Sequence, residues 1–320
     1  MNSLKTVADV IQNEKDFIIG SHVGPDGDSL GSSLALAHTI KMLGKKVSIS
    51  IGEDYVNIPP QYRFMPDVDW FRSYKQLRPA DVFISLECPQ MSRLGASSGL
   101  AEKARVLVNI DHHIDNKEYG NINYVNKETS STCEILYNLF ELLDIKMNRK
   151  LATYLYVGIV TDTGRFQYSN TGPKTFEVAT KLLETGAKPN TVFQHIYENK
   201  SLNSLKLLGM ILSRSTVFSN GFIYSTVDKD DLILAGIQMG ETEDFIDYLR
   251  AGRGVKVAAI LKELKNGQIK VSLRSRNDIN VAKISEVFGG GGHEAAAGFS
   301  SSETMANTVR KLCEEVKKYL

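Results

Sequence analysis

Cysteine is scarce: three in 320 residues, at positions 88, 133 and 313, with no CxxC pair. An odd and widely spaced set excludes a disulfide scaffold and reads as reduced thiols in a cytosolic protein. Long apolar runs are also missing. None approaches the roughly 20 residues that span a bilayer, and residues 1–16 mix charged and apolar side chains where a secretory leader is continuously apolar. No membrane partner is therefore expected. Charge of one sign is absent too, since 38 basic against 37 acidic residues leave a net +1. A wrapped duplex demands a more basic chain, so duplex DNA is excluded as a partner, whereas a small anion needs only a local basic cleft. Prolines number eight, and 42% of the residues are hydrophobic with 23% charged. That composition excludes extended disorder and leaves an ordinary globular protein long enough for two domains.

What the chain does contain is an alternation of strand and helix signals. Residues 17–19 (FII), 46–51, 81–87 (DVFISLE) and 105–110 (RVLVNI) are short Val/Ile-rich strands. From Ser29, the spacing of Leu30, Leu34, Ala37 and Leu43 predicts a helix, with Gly44 as its stop. A further helix is expected over residues 130–143, while residues 151–160 (LATYLYVGIV) suit a helix or a buried strand equally. This pattern predicts an α/β fold with an N-terminal, mostly parallel sheet flanked by helices. After residue 211 the character changes: strands at 221–227 and 255–264, a hairpin signal at Asn266-Gly267 and a terminal helix predict a smaller α/β domain. The expected division is 1–188, a linker and helix over 189–210, and 211–320.

Ligands of parallel sheets gather beyond the carboxyl ends of the strands. His22, Asp26 and Asp28 follow the first strand, Glu87 ends another, and Asp111, His112 and His113 end a third. Asp162 closes the apolar stretch after it. Each alone is as readily a cap or a turn residue. Together they offer two imidazoles and four carboxylates as candidate metal ligands (His22, Asp26, Asp28, Glu87, His112, Asp162), enough for two divalent cations if one carboxylate bridges. Oxygen-rich ligation with some imidazole suits Mn²⁺ or Mg²⁺. Two such ions acidify a water and clamp a phosphoryl group, which makes phosphoester hydrolysis the expected reaction.

The run Gly289–Gly292 lacks the Lys-Ser/Thr of a nucleoside-triphosphate loop, and a hinge is its simplest reading. It leads into His293, however, with Arg274 upstream. Gly290, Gly291, Gly292, His293 and Arg274 are therefore candidates for holding a phosphate or a base edge. Cys88 has no partner pattern for a nucleophile and is set aside.

SHVGPDGDSLGS, IDHH, GIVTDTGRF and FGGGGHEAAAGF occur in that order, and nearly the whole chain resembles the DHH phosphoesterase family in its two-domain form with a DHHA1-type domain. Among members it looks most like the stand-alone nano-RNases, which degrade very short oligoribonucleotides and dephosphorylate 3′-phosphoadenosine 5′-phosphate (pAp). The resemblance implies that His22 and Asp26 hold one Mn²⁺, that Asp28, His112 and Asp162 hold the other, and that Glu87 bridges. It further implies that His113 lies by the scissile phosphate, that Asp111 supports the site, and that Arg93 binds substrate. His113, Asp111 and Asp28 are thus the catalytic candidates. Short RNA and nucleoside bisphosphates are the expected partners, and a homodimer is allowed for. The family usually has Asp where this chain has Glu87. A phosphodiesterase for cyclic di-AMP or pApA is the alternative enzyme, and a nucleotide sensor impaired by Glu87 is the alternative outside enzymes.

Overall fold

The computed structural model describes residues 3–219, 221–276 and 279–320, with residue 293 described by its backbone alone. The chain divides into two compact units, Met1–Asn199 and Lys200–Leu320.

In the first unit, the elements run α1 (Leu4–Asn13), β1 (Asp16–Gly20), α2 (Gly27–Met42), β2 (Lys46–Ile51), β3 (Phe71–Ser73), β4 (Val82–Leu86), α3 (Ser98–Ala101), β5 (Val106–Asp111), β6 (Ile122–Val125), α4 (Thr132–Leu142), α5 (Arg149–Asp162), α6 (Pro173–Glu184) and α7 (Pro189–Ile196). The six strands are all parallel, in the order β3-β2-β1-β4-β5-β6. Both faces of the sheet are covered, which is why β1 and β4 read as continuous apolar runs rather than as alternating ones. Val82, Ile84 and Leu86 enter the main core, while Phe83 enters a second cluster with Ile18, Leu94, Leu100 and Leu107 on the other face. Helix α2 is buried almost all round, and its Leu30, Leu34, Leu36 and Ile40 are fully inaccessible. Each such burial stabilises the fold by roughly 1.5–3 kcal/mol. The ambiguous stretch 151–160 is helix, because α5 packs on α2. The approach needs glycine: a Cβ on Gly31 would lie 2.5 Å from the Tyr154 carbonyl, and one on Gly158 would lie 2.5 Å from Asp28 Oδ1.

The second unit contains α8 (Leu202–Ser213), β7 (Thr216–Phe218), β8 (Phe222–Val227), α9 (Lys229–Ala235), α10 (Phe245–Arg250), β9 (Val257–Glu263), β10 (Ile269–Ser275), α11 (Val281–Glu286), β11 (Gly291–His293), β12 (Ala296–Ser301) and α12 (Met305–Val316). Its sheet, ordered β11-β12-β10-β9-β8-β7, is antiparallel except between β8 and β9. No helix among the described residues is long and apolar enough to cross a membrane. All three cysteines are free thiols.

Candidate active site

Strand order places the site. Sequence-adjacent connections leave β1 and β4 on opposite sides, so the crevice between their carboxyl ends is the switch point where ligands of open α/β sheets bind. Gly20 of β1 lies in register with Ser85 of β4, and Leu86 with Ile110 of β5. The residues just beyond these ends are therefore neighbours in space.

Asp26 caps α2: its Oδ1 accepts from Ser29 N at 2.9 Å, and Ser29 Oγ accepts from Asp26 N at 3.0 Å. Its Oδ2 lies 3.5 Å from His22 Nε2, which is 2.7 Å from Glu87 Oε2. The other nitrogen, His22 Nδ1, is 3.0 Å from the Val23 carbonyl. A carbonyl only accepts, so Nδ1 carries a proton. Nε2 faces the two carboxylates and is protonated too in the metal-free protein, where Glu87 and Asp26 hold the imidazolium against burial. Only loss of that second proton frees Nε2 for a cation.

On the other side, Glu87 Oε1 is 3.7 Å from His112 Nε2 and 3.5 Å from His113 Nδ1, and His112 Nε2 is 3.4 Å from Asp162 Oδ2. Asp111 is fully buried. Its Oδ1 accepts from His112 N at 2.8 Å and His113 N at 3.3 Å, and lies 2.8 Å from His113 Nδ1. Asp111 is thereby an orienting group for the His113 ring. Asp28, 1% exposed, is held by the start of α4, with Oδ2 accepting from Thr132 N at 2.7 Å and Oδ1 from Cys133 N at 3.0 Å.

Two donor groups converge within 4.8 Å: His22, Asp26 and Glu87, and Glu87, Asp111, His112 and His113. Glu87 belongs to both. Hard oxygen donors with imidazole nitrogens, crowded together and buried except for exposed Asp26 and partly buried His113, fit divalent cations. Asp28 and Asp162 stand outside these two groups but border the second, Asp162 through His112. Arg93 is exposed, and its carbonyl accepts from Val23 N at 2.9 Å, which sets it beside the first loop.

Gly290 is close-packed: a Cβ there would lie 2.3 Å from the Gly298 carbonyl. Gly291, Gly292 and residue 293 form the edge strand β11 rather than a hinge, and Ala296 of β12 is in register with both residue 293 and Arg274. The Arg274 guanidinium donates to the Leu273 carbonyl at 3.0 Å. The side chain of His293 lies outside the described residues.

Several supporting residues escaped sequence reasoning. Asn116 Nδ2 donates to Asp111 Oδ2 at 2.5 Å, and Asn170 Nδ2 donates to the Asp162 carbonyl at 3.1 Å. An isolated Asn carries no spacing signal, so only its hydrogen bonds reveal it.

In the metal-free protein, the cluster holds protons in place of cations. Burial pushes the carboxyl of Asp162 up to about 8 and that of Asp28 to about 6, with Glu87 adding to both shifts. Burial opposes the imidazolium of His113, but Glu87 and Asp111 outweigh it and raise His113 to about 9. The stability contributed by His113 is complete below its unfolded value and lost as pH rises through about 9. Asp162 acts in the same direction, because ionising it in the fold is costlier than in the unfolded chain. With chelator, the melting temperature should therefore fall steadily from pH 6 to pH 9. With Mn²⁺ the decline should be abolished, since a cation needs the ligands deprotonated. Melting curves at three pH values in both conditions check this, and a flat metal-free profile would contradict it.

The family model described as "DHH family, N-terminal domain" matches residues 16–159, and the "DHHA1 domain" model matches residues 220–320. The bifunctional oligoribonuclease and PAP phosphatase NrnA of Thermus thermophilus is 31% identical over 92% of this chain and 87% of its own length. An exopolyphosphatase-related protein from Bacteroides fragilis superposes with a TM-score of 0.90 at 25% identity, covering 99% of this chain and 96% of that one. RecJ from Thermus thermophilus in complex with Mn²⁺ shares the fold at a TM-score of 0.58 and 14% identity, over 99% of this chain and 55% of its own.

Proposed function

This chain belongs to the DHH family of phosphoesterases, hydrolases acting on phosphoester bonds, and on that premise we propose that it cuts short oligoribonucleotides to mononucleotides and dephosphorylates pAp to AMP. The observation that carries the reading is the position of Glu87, one carboxylate shared between two donor groups. Two divalent ions are the cofactor, Mn²⁺ before Mg²⁺. His22, Asp26 and Glu87 would hold the first, and Glu87, Asp28, His112 and Asp162 the second. When bound, they supply an acidified water and positive charge for the phosphoryl oxygens.

The chain's own residues do the remaining work. Val23 O fixes the tautomer of His22, and the start of α4 fixes Asp28. His113, its Nδ1 proton directed to Asp111 Oδ1, offers Nε2–H to a phosphoryl oxygen. Arg93 gives the substrate a cation, and Arg274 with the β11 edge is the proposed nucleotide-binding part of the second unit. The name of the Thermus thermophilus relative, which spans most of both chains, supports the substrate class.

A near-neutral chain offers no long basic track for extended strands. With Mn²⁺, RNA of two to five nucleotides should therefore be cut at least about tenfold faster than 20-mers, a difference near 1.4 kcal/mol in the barrier. A panel of pAp, pApA, cyclic di-AMP and RNA of graded length measures this. Equal rates across lengths would refute the size preference, and cyclic di-AMP turning over faster than pAp would move the assignment to the cyclic dinucleotide.

A further inference from the structure

Glu87 has φ +56°, a left-handed backbone in a residue with no short side chain to hydrogen-bond locally. Such conformations persist only where the surroundings over-determine them. On its amino side, Glu87 N donates to the Ile110 carbonyl at 3.1 Å. On its carboxyl side, three donors converge on one oxygen. The Cys88 carbonyl accepts from Tyr119 OH at 3.0 Å, from Asn109 Nδ2 at 3.2 Å and from Asn116 Nδ2 at 3.4 Å. Asn116 also donates to Asp111, and Tyr119 OH lies 2.6 Å from Ser85 Oγ on β4.

We propose that Tyr119, Asn109 and Asn116 are positioning residues that clamp the Cys88 carbonyl, hold Glu87 in its left-handed conformation, and through Asn116 tie its placement to that of Asp111 and His113. The inference rests on the reading of Glu87 as the shared carboxylate. Its logic is geometric: a carboxylate serving two groups must be fixed in both directions along the rim, and a shift near 1 Å at such a site costs about a hundredfold in rate. A left-handed Glu released from the clamp relaxes toward an ordinary φ and swings its side chain away. Burial keeps the Tyr119 phenol protonated far above its ordinary range, so it remains a donor at every working pH.

The test uses the full chain. Tyr119→Phe keeps the ring and removes only the hydroxyl; Asn116→Ala is the second variant. Mn²⁺ affinity is read by electron paramagnetic resonance, alongside kcat and KM for pAp and the melting temperature. Tyr119→Phe is expected to bind Mn²⁺ about 10–100-fold more weakly and to lose a similar factor in kcat, with KM unchanged and melting shifted by only a few degrees. A general structural role would instead move melting and leave affinity alone. Asp tolerates left-handed backbone better than Glu, so in a Glu87→Asp background the effect of Tyr119→Phe should shrink several-fold. Unchanged Mn²⁺ affinity and kcat in Tyr119→Phe, or an equal loss in both backgrounds, overturns the clamp while leaving the metal reading intact. A wild-type chain that takes up no Mn²⁺ overturns the metal reading and the clamp with it.

Discussion

Glu87→Gln should abolish turnover while leaving the fold in place: a fall in kcat of at least about 10³-fold, or about 4 kcal/mol of barrier. The substitution keeps size and removes one charge. That charge faces His22 at 2.7 Å on one side, and His113 at 3.5 Å and His112 at 3.7 Å on the other. An amide keeps one uncharged acceptor and turns an NH₂ toward the other side, so it can serve only one of the two donor groups and neither with a charge. Bound Mn²⁺ per chain should drop accordingly, measured by paramagnetic resonance beside kcat on pAp. Far-ultraviolet circular dichroism should stay unchanged, because Glu87 lies past the end of β4 and outside the apolar core. Wild-type metal content and rate in the Gln variant would sink the shared-carboxylate reading. Glu87→Asp separates charge from reach: it keeps the carboxylate, shortens it by one methylene and suits the left-handed backbone. Metal binding should survive in it, with a changed rate. Identical metal content and rate in Glu87→Asp and the wild type would make side-chain length at this position irrelevant.

Asp111→Asn is the second large effect, expected to lower kcat about 10²–10⁴-fold, as when a buried carboxylate orienting a catalytic imidazole becomes an amide. The carboxylate of Asp111 is met by donors: two backbone amides, His113 Nδ1 and Asn116 Nδ2. An Asn side chain must turn an NH₂ toward some of them, which either breaks the contact or flips the tautomer of His113. Asp111 is held down at about 2, with burial opposing and His113 favouring the ionised form. The orienting anion is therefore present throughout the working range. KM should change less than kcat, because the orienting role bears on His113 rather than on substrate contact, and steady-state kinetics on pAp decide it. Equal proportional losses in kcat and KM would point to substrate binding instead.

Much of this was legible in the chain itself. The fold class follows from short Val/Ile runs alternating with helical periodicity, and His22, Asp26, Glu87 and Asp111–His113 stand out because each follows such a run. Helix against strand at 151–160 was not legible, since an apolar segment buried on all sides shows no period; packing on α2 through Gly31 and Gly158 decides it. A hinge is the simplest reading of the glycine run, yet Gly291 and Gly292 enter an edge strand, where a Cβ on Gly292 would lie 2.5 Å from the Ala296 carbonyl. Asn116, Tyr119 and Asn109 carried no signal at all. Their contribution is a shared target, the Cys88 carbonyl, and a target is a property of three-dimensional arrangement.

By itself the sequence determined the residue chemistry of the rim, hard oxygens and imidazoles at successive strand ends, because strand ends are marked by local hydrophobic patterning. The family resemblance implied a bridging Glu87, but only the tertiary structure decided that its carboxylate lies within both donor groups, that Asp28 is anchored by amides more than 100 residues away, and that Glu87 adopts a left-handed backbone. The physical reason is that these depend on the order β3-β2-β1-β4-β5-β6. That order is set by how crossover helices pack, and no single segment of the chain encodes it.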